Sequence, residues 1–510
     1  MNAAVQAGAE ANPGSAALKV RRLGLSTQDE AVVVMRSDCH VCRSEGLSPR
    51  SQVLISAGDR QVIATLYQIS GDMLAPNEAG LSEAAWRRLA VRDGDALHVR
   101  HPPTLQSLAD VRRRIYGNRL DQSAFTGIIR DVTAGRYTDV HLSALLTACS
   151  AYPMDLAEIT SLTRAMTEAG DRLTWPAKTI DKHSVGGLPG NRTTPIVVSI
   201  VAALGLVMPK TSSRAITSPA GTADTMETMA PVDLDLPTLR RVVETENGCI
   251  AWGGAIRLSP ADDILIRVER VLDVDAEGQL IASVLSKKIA AGSSHVVLDL
   301  PVGPTAKVRN EEAARDLADR LHEVASAFGL TTRCIFTDGS QPVGRGIGPA
   351  LEAFDVLAVL QNQSDAPHDL TRRACLIAGA ALELAGHCEA GHGAAIAQAA
   401  LEDGRAWAKF QRICEAQGGM RTPPRARLKR DWTAASSGRL EHINNRKLAR
   451  LAKLAGAPDS KAAGVEMHVR LGQNIAAGQP LLTIHADAPG ERDYAVEYAL
   501  ANADMFEIEA

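Results

Sequence analysis

Between residues 180 and 430, short apolar segments alternate with long helical stretches, and this alternation limits the possible folds more than any other feature of the chain. The apolar segments 294–300 and 333–336 have the length of buried strands, whereas residues 311–328 carry the spacing of an amphipathic helix. Parallel strands need a helix-sized connection between them, so such alternation is typical of α/β sheets. We therefore predict an α/β core over residues 180–430.

The rest of the chain divides into further blocks. Residues 18–100 contain short alternating runs separated by Gly and Ser, which predict a β-rich domain, and residues 104–170 have helical periodicity. A basic, proline-containing connector precedes a C-terminal module, 432–510, in which 464–485 is similar to a barrel-sandwich hairpin. Residues 1–17 lack a basic start and an apolar run, so we expect a flexible tail and not a signal peptide.

Composition and charge restrict the partners. The formal net charge is -4, which excludes the basic excess that binding to a nucleic acid polymer requires. The longest apolar run, 196–208, is shorter than the ~20 residues that span a bilayer, so no membrane partner is expected. The net charge does not exclude a local binding site for a small anion.

The eight cysteines are scattered through a long chain, which favours reduced thiols and a cytoplasmic location. Cys39 and Cys42 form the one close pair. Tetrahedral zinc needs four ligands, and no second CxxC or HxxxH follows in the sequence. We therefore predict no metal site.

A glycine-rich turn at 181–194 precedes the apolar helix predicted at 195–206. Backbone amides and a helix N-terminus both favour an anion, and Lys182, Ser184 and Thr194 would add charge and hydroxyl donors. The spacing is not that of a P-loop, and a glycine-rich turn by itself is equally consistent with a structural loop.

A second hydroxyl-rich segment follows one strand later, at 210–227, with an arginine and a tight Ala-Gly turn before another helix. Loops that follow neighbouring strands of an α/β sheet meet at the edge where such folds bind ligands. Together the two segments favour a phosphate site.

The motifs DKHSxGG at 181–187, SxR with GTxDxME at 212–227 and SVLSKK at 283–288 resemble the thymidine/pyrimidine-nucleoside phosphorylase family. The resemblance extends over residues 111–486. The extra N-terminal domain and the run at 213–222 are most similar to the long, type 2 subfamily, which contains AMP phosphorylases and bacterial relatives described as thymidine phosphorylases.

The resemblance implies a fold and a reaction. The fold is an α/β multidomain protein: a helical domain that includes part of 260–291, and an α/β phosphate-binding domain like that of nucleoside phosphorylases and phosphoribosyltransferases. The N-terminal β domain and the C-terminal module are added to these. The reaction is attack of orthophosphate, the co-substrate, on C1′ of a nucleoside, with no metal or organic cofactor. A homodimer or higher homo-oligomer is implied as well.

The resemblance also assigns roles to individual residues. Positions that match the family's phosphate ligands are Lys182, Ser184, Thr194, Ser212 and Thr222, with Thr193 as the neighbouring alternative to Thr194. Positions with a catalytic role are His183, Asp275 and Lys287. Positions that would bind the nucleoside are Gly187, Ser213, Arg214, Ala215, Ile216, Thr217, Ser218, Ser283, Lys287 and Lys307.

The substrate is left open between thymidine, or another pyrimidine nucleoside, and AMP. Pyrimidine-specific members carry an arginine on the helix before Ser283, where this chain has Glu269 in ungapped register and Arg270 one position later. Two other classes stay open. A phosphoribosyltransferase would need paired carboxylates for Mg²⁺, for which only Asp224 and Glu227 stand in the second segment. A non-catalytic nucleotide-binding protein would need none of this chemistry.

Overall fold

The computed structural model describes residues 17–27, 29–186, 188–215, 218–272, 274 and 276–509. Four of the predicted site positions lie outside the described residues: Gly187, Ile216, Thr217 and Asp275. The chain forms two compact units. The first comprises the chain up to Asp110 together with Asp131–Thr138, and the second comprises Val111–Arg130 and the chain from Asp139 onward.

The first unit contains a closed six-stranded barrel with strand order β1-β5-β2-β4-β3-β6. In chain order its elements are β1 (Leu18–Arg22), β2 (Val32–Arg36), α1 (His40–Ser44), β3 (Gln52–Ala57), β4 (Arg60–Ile69), β5 (Glu78–Leu81), α2 (Glu83–Leu89) and β6 (Ala96–Arg100). Alternate apolar side chains of the strands fill its interior, as the period of two requires. Cys39 lies at the start of α1, where its sulfur accepts a hydrogen bond from the Cys42 amide.

The next part of the chain contains the helices and the parallel strands. In chain order they are α3 (Ser107–Ile115), α4 (Gln122–Thr133), α5 (Asp139–Ala151), α6 (Leu156–Glu168), β7 (Ile180–Ser184), α7 (Thr194–Ala203), β8 (Met208–Ser212), α8 (Thr222–Glu227), α9 (Leu236–Glu246), β9 (Gly248–Trp252), α10 (Pro260–Leu272), α11 (Glu277–Ala290), β10 (His295–Val302), α12 (Glu311–Ser326), β11 (Thr331–Asp338), β12 (Gly346–Ile347), α13 (Pro349–Leu360), α14 (His368–Leu384), α15 (Gly393–Glu402) and α16 (Arg405–Ala416).

A helical layer forms from two segments that are distant in sequence. α11 packs against α6, and α10 packs against α5. α6 begins with a capping box, in which Asp155 and Glu158 satisfy each other's backbone amides. The helices at 260–290 therefore belong to the same layer as those at 139–168, although the first three strands of the sheet separate them in sequence.

The parallel strands form the α/β core. β11, β10 and β7 pair in that order, β8 pairs with β9, and a single bridge between Thr179 and Val207 connects the two sets. All of these pairings are parallel. β7 ends at Ser184 and β8 ends at Ser212, so both hydroxyl-rich loops begin at the same edge of the sheet.

The C-terminal elements are β13 (Leu428–Thr433), β14 (Gly438–Ile443), α17 (Asn445–Leu454), β15 (Gly464–Met467), β16 (Asn474–Ile475), β17 (Pro480–Ala486), α18 (Pro489–Ala501) and β18 (Phe506–Glu509). Together with β12 of the preceding block, these strands form two small antiparallel sheets, β12-β15-β17-β13 and β16-β14-β18, over a shared apolar core. Among the described residues, no helix combines the length and the apolar character needed to cross a bilayer.

Candidate active site

A cavity of about 320 Å³ opens where β7 and β8 end, and α10 and α11 form its opposite wall. This volume falls in the range of small-molecule sites, ~300–1,000 Å³. Eleven of the predicted positions line it: Lys182, His183, Ser184, Thr194, Ser212, Ser213, Arg214, Ser218, Thr222, Ser283 and Lys287. Two described positions lie outside the lining. The Ala215 amide donates to Asp224, and Lys307 is exposed, with its Cβ close to Gly186.

Lys182 lies at the base of the cavity. Its Nζ donates to the hydroxyl oxygens of Ser184, at 3.1 Å, and Thr193, at 2.8 Å, and the residue is 3% exposed. Burial lowers the pKa of its ammonium group to about 8, although the carboxylate of Asp299 acts in the opposite direction. Lys182 is therefore mostly a cation at neutral pH.

The N-terminus of α7 supplies further donors. Thr193 is the N-cap residue, but its hydroxyl accepts from Lys182 and makes no capping bond to the helix. The positive end of the helix dipole thus has no side-chain cap at Thr193, and it lies beside the Thr194 side chain. Gly186, in the turn before it, has φ of +110°, a conformation that glycine adopts without strain.

Arg192 connects three segments around the cavity. Its Nε donates to the buried carboxylate of Glu352 at 2.7 Å, Nη1 donates to the Thr222 hydroxyl at 2.7 Å, and Nη2 donates to the Ala220 carbonyl at 2.8 Å. A guanidinium group has five N–H donors, so two stay available after these bonds. Arg192 lines the cavity and can use them on an anion.

Asp224 and Glu227 hold the second loop together. Both carboxylate oxygens of Glu227 accept from Arg214, at 2.8 and 2.9 Å, and the hydrogen bonds to Arg214 lower the Glu227 pKa to about 2. Asp224 accepts from the amides of Ala215 and Gly221. A Cβ at Gly221 would lie 2.6 Å from the Ala215 nitrogen, so the turn requires glycine. Both carboxylates already accept hydrogen bonds from donors of the protein, and this arrangement does not favour a Mg²⁺-binding role.

A buried charge cluster lies at the cavity, where two of its members, Lys210 and Lys288, belong to the lining. The carboxylate of Asp181, which is fully buried, accepts from Lys210 at 3.1 Å and from Lys288 at 2.8 Å. Lys210 also donates to the Lys182 carbonyl at 3.0 Å. Burial disfavours the charged form of Asp181, but the two ammonium groups outweigh it and lower its pKa. The cluster fixes the strand that carries Lys182.

The opposite wall carries Ser283 and Lys287, one helical turn apart on α11. The ammonium group of Lys287 contacts the buried carboxylate of Asp262 and lies 3.5 Å from the Ser213 hydroxyl. Burial alone would lower the Lys287 pKa, but Asp262 raises it above the ordinary value.

His183 is neutral at neutral pH. Burial, followed by the fields of Lys288, Lys210, Lys287 and Lys182, lowers its pKa well below the ordinary value. A neutral imidazole still donates one hydrogen bond and accepts another. It does not carry the imidazolium proton that a general acid would deliver.

Sequence reasoning missed several cavity residues. Arg192, Lys210 and Lys288 stand inside or beside the motifs, but their partners are far away in sequence. Asp263, on α10, lines the cavity and had no motif to mark it. Neither Glu269 nor Arg270 is among the described residues that line the cavity.

Comparison with known families agrees with this arrangement. The helical bundle domain of a glycosyl transferase family matches residues 111–170, and the α/β domain of the same family matches residues 176–407. The C-terminal domain of pyrimidine nucleoside phosphorylases matches residues 439–505.

Two similar proteins, both called "Putative thymidine phosphorylase", match nearly the whole chain. The one from Chelativorans sp. (strain BNC1) is 68% identical over 98% of this chain and 99% of its own length. The one from Tolumonas auensis is 61% identical over the same shares. The chain belongs to the thymidine/pyrimidine-nucleoside phosphorylase family. As a member of this family it is an enzyme, a pentosyltransferase.

The predicted helical and α/β domains are confirmed by these matches. A solved structure, anthranilate phosphoribosyltransferase from Thermus thermophilus, resembles this member of the phosphorylase family with a TM-score of 0.50 and 22% identity, over 60% of this chain and 98% of that one. That likeness concerns the fold alone.

Proposed function

We propose that this enzyme cleaves the N-glycosidic bond of thymidine or a closely related pyrimidine nucleoside with orthophosphate, giving the free base and 2-deoxy-α-D-ribose 1-phosphate. The observation that carries the proposal is that one cavity has ammonium, guanidinium and hydroxyl donors where β7 and β8 end, and has Ser283 and Lys287 in its opposite wall. Phosphorolysis needs both: an oriented anionic nucleophile on one side of C1′ and stabilisation of the departing base on the other.

At the anion-binding end, Lys182, Ser184, Thr194, Ser212 and Thr222 would bind orthophosphate, and Arg192 adds two free N–H donors. Phosphate attack forms a C1′–O bond while the C1′–N bond breaks, and its electron pair goes to the base. The sugar carries positive charge in the transition state, as in glycoside cleavage generally. A phosphate dianion held beside C1′ stabilises that charge.

We call the opposite wall, which α10 and α11 form, the base-facing wall. There Lys287 and Ser283 would donate hydrogen bonds to the base as it gains negative charge. Asp262 keeps Lys287 protonated at neutral pH, so its charge is available at the transition state. His183 would orient the base as a neutral ring. Asp275 stays a candidate proton donor by resemblance, and Gly187, Ile216 and Thr217 stay candidate nucleoside contacts.

The proposal includes the setting in which the enzyme works. It uses no metal or organic cofactor, because orthophosphate itself is the nucleophile that attacks C1′. It works in the cytoplasm, where its eight cysteines, all present as free thiols, stay reduced. It assembles as a homodimer through the helical layer, where Val140 and Val271 are 75% and 83% exposed. Light scattering of the purified protein would test the dimer.

A substrate panel tests the activity. Purified enzyme, treated with a chelator, is incubated with thymidine, uridine or AMP in the presence and absence of orthophosphate, and base release is measured. We expect phosphate-dependent thymine release to be fastest. Faster adenine release from AMP would overturn the pyrimidine assignment. Base transfer that depends on Mg²⁺ and a phosphoribosyl diphosphate would overturn phosphorolysis.

A further inference from the structure

Asp263 presents a carboxyl group to the base-facing wall of the cavity. It lies in the first turn of α10, and Ile266, three positions later, lines the cavity on the same helix face. The neighbouring helix contributes Ser283 and Lys287. Asp263 therefore shares a wall with the two donors that face the base.

The two adjacent aspartates have different surroundings. Asp262 is 1% exposed and contacts Lys287, whereas Asp263 is exposed, and no hydrogen bond or ion pair to it is found within the described part of the chain. Although the residue as a whole is exposed, partial desolvation of its carboxyl group by the cavity wall raises the Asp263 pKa to about 6, with Lys287 lowering it and Asp262 raising it. Above pH 6 it is mostly an ionised acceptor without a partner in the protein.

A carboxylate repels a base that leaves with negative charge, unless the base donates an N–H hydrogen bond to it. Ionised carboxylates only accept hydrogen bonds, whereas the Lys287 ammonium only donates and the Ser283 hydroxyl can donate. The wall thus carries two donors and one acceptor. A 2,4-dioxopyrimidine carries the complement on its edge: two carbonyl oxygens with an N–H between them.

We propose that Asp263 is a specificity-determining residue that accepts a hydrogen bond from the ring N3–H of a 2,4-dioxopyrimidine base. The inference rests on the proposed function, because it assumes that the base of a nucleoside occupies this wall. Asp263 would select thymine and uracil over bases with an unprotonated ring nitrogen at this position, which a carboxylate repels.

The test compares thymidine with 3-methylthymidine, which has a methyl group in place of the N3 hydrogen. kcat/KM for each nucleoside is measured at saturating phosphate and pH 7.5 or above for the wild type, Asp263→Ala and Asp263→Asn. Asp139→Asn is the control, because this exposed aspartate of the helical layer pairs with Arg267 and lies outside the described cavity lining.

We expect Asp263→Ala to reduce kcat/KM for thymidine by ~10- to 100-fold, the range for a hydrogen bond to a charged group. The value for 3-methylthymidine should stay the same or rise, because the shorter side chain leaves room for the methyl group. Asp263→Asn keeps the size of the side chain. A lower kcat/KM of this variant for thymidine would therefore result from the lost charge and not from a cavity. Asp139→Asn should behave as wild type.

Equal losses on both nucleosides would overturn the inference and indicate a structural or proton-donating role for Asp263. Unchanged thymidine kinetics in both variants would overturn it as well. In either case an active wild type leaves the proposed function intact. A wild type that releases no thymine from thymidine would instead refute the proposed function itself, and this inference with it.

Discussion

The ammonium group of Lys287 contacts the carboxylate of Asp262, a residue that is 1% exposed and stands 25 positions earlier in the chain. This pair brings α10 and α11 together at the base-facing wall. Because desolvation by the surrounding protein lowers the Lys287 pKa, the charge of this half-buried side chain depends on Asp262. A residue outside the recognised motifs thus determines the protonation state of a residue inside one.

Asp262→Asn should move the alkaline limb of the pH–rate profile. Without the carboxylate, desolvation of Lys287 dominates and its pKa falls. In the proposed mechanism Lys287 acts as the cation, so activity should be lost at a lower pH than in the wild type. A kcat/KM profile for the nucleoside between pH 6 and 10 measures this, and an unmoved limb would contradict the assigned role.

Lys182→Met should weaken the binding of phosphate without weakening the binding of the nucleoside. The substitution keeps a long apolar side chain and removes the charge, so KM for phosphate should rise by ~10- to 100-fold. In the wild type, burial sets the Lys182 pKa to about 8, so affinity for phosphate should decline as the pH rises above 8. Initial rates at varied phosphate and pH provide both readouts. An alkaline decline that persists unchanged in the variant would show that another group causes it.

Arg192→Lys should disturb the phosphate loop although it keeps the charge. A lysine cannot donate at once to Glu352, Thr222 and Ala220, as the arginine fork does. We expect KM for phosphate to rise by ~10-fold or more, in line with the loss of hydrogen bonds to a charged group. The matched control is Arg267→Lys, which alters an exposed pair worth ~0–1 kcal/mol. Similar kinetics for the two variants would refute the bridging role.

Asp181→Asn should destabilise the α/β core. It leaves Lys210 and Lys288 buried without a counter-charge, and breaking a buried pair in this way costs ~3–5 kcal/mol. The denaturant midpoint should therefore fall. Adding Lys288→Met should restore part of the loss, because it removes one uncompensated ammonium group. Additive losses in the double variant would show that the two residues do not interact.

The ion pairs of Asp181 also make the free energy of unfolding depend on pH. The folded state holds the Asp181 pKa below its unfolded value, so this stabilisation is complete above about pH 5. It is lost as the pH falls through the folded-state pKa. Wild type and Asp181→Asn should therefore converge in stability in acid, and a constant difference down to low pH would contradict the assignment.

The sequence by itself determined the order of the elements and the chemistry of the two loops. A glycine-rich turn before an apolar run, and a hydroxyl-rich segment after the next strand, are local patterns whose meaning depends on nearby residues. Helix α11 and the shared face of Ser283 and Lys287 follow from local periodicity in the same way. For this reason eleven of the predicted positions meet in one cavity.

Only the tertiary structure decided which charges meet. Lys288 lies 107 positions from Asp181, and Glu352 lies 160 positions from Arg192. Asp263 lines the cavity because α10 packs against α5 and α6, the same helices that α11 contacts. Charged side chains follow no period along a sequence, and their pairing depends on which elements pack together. The physical reason is that burial makes an unpaired charge costly, so the fold selects the partner wherever it stands in the chain.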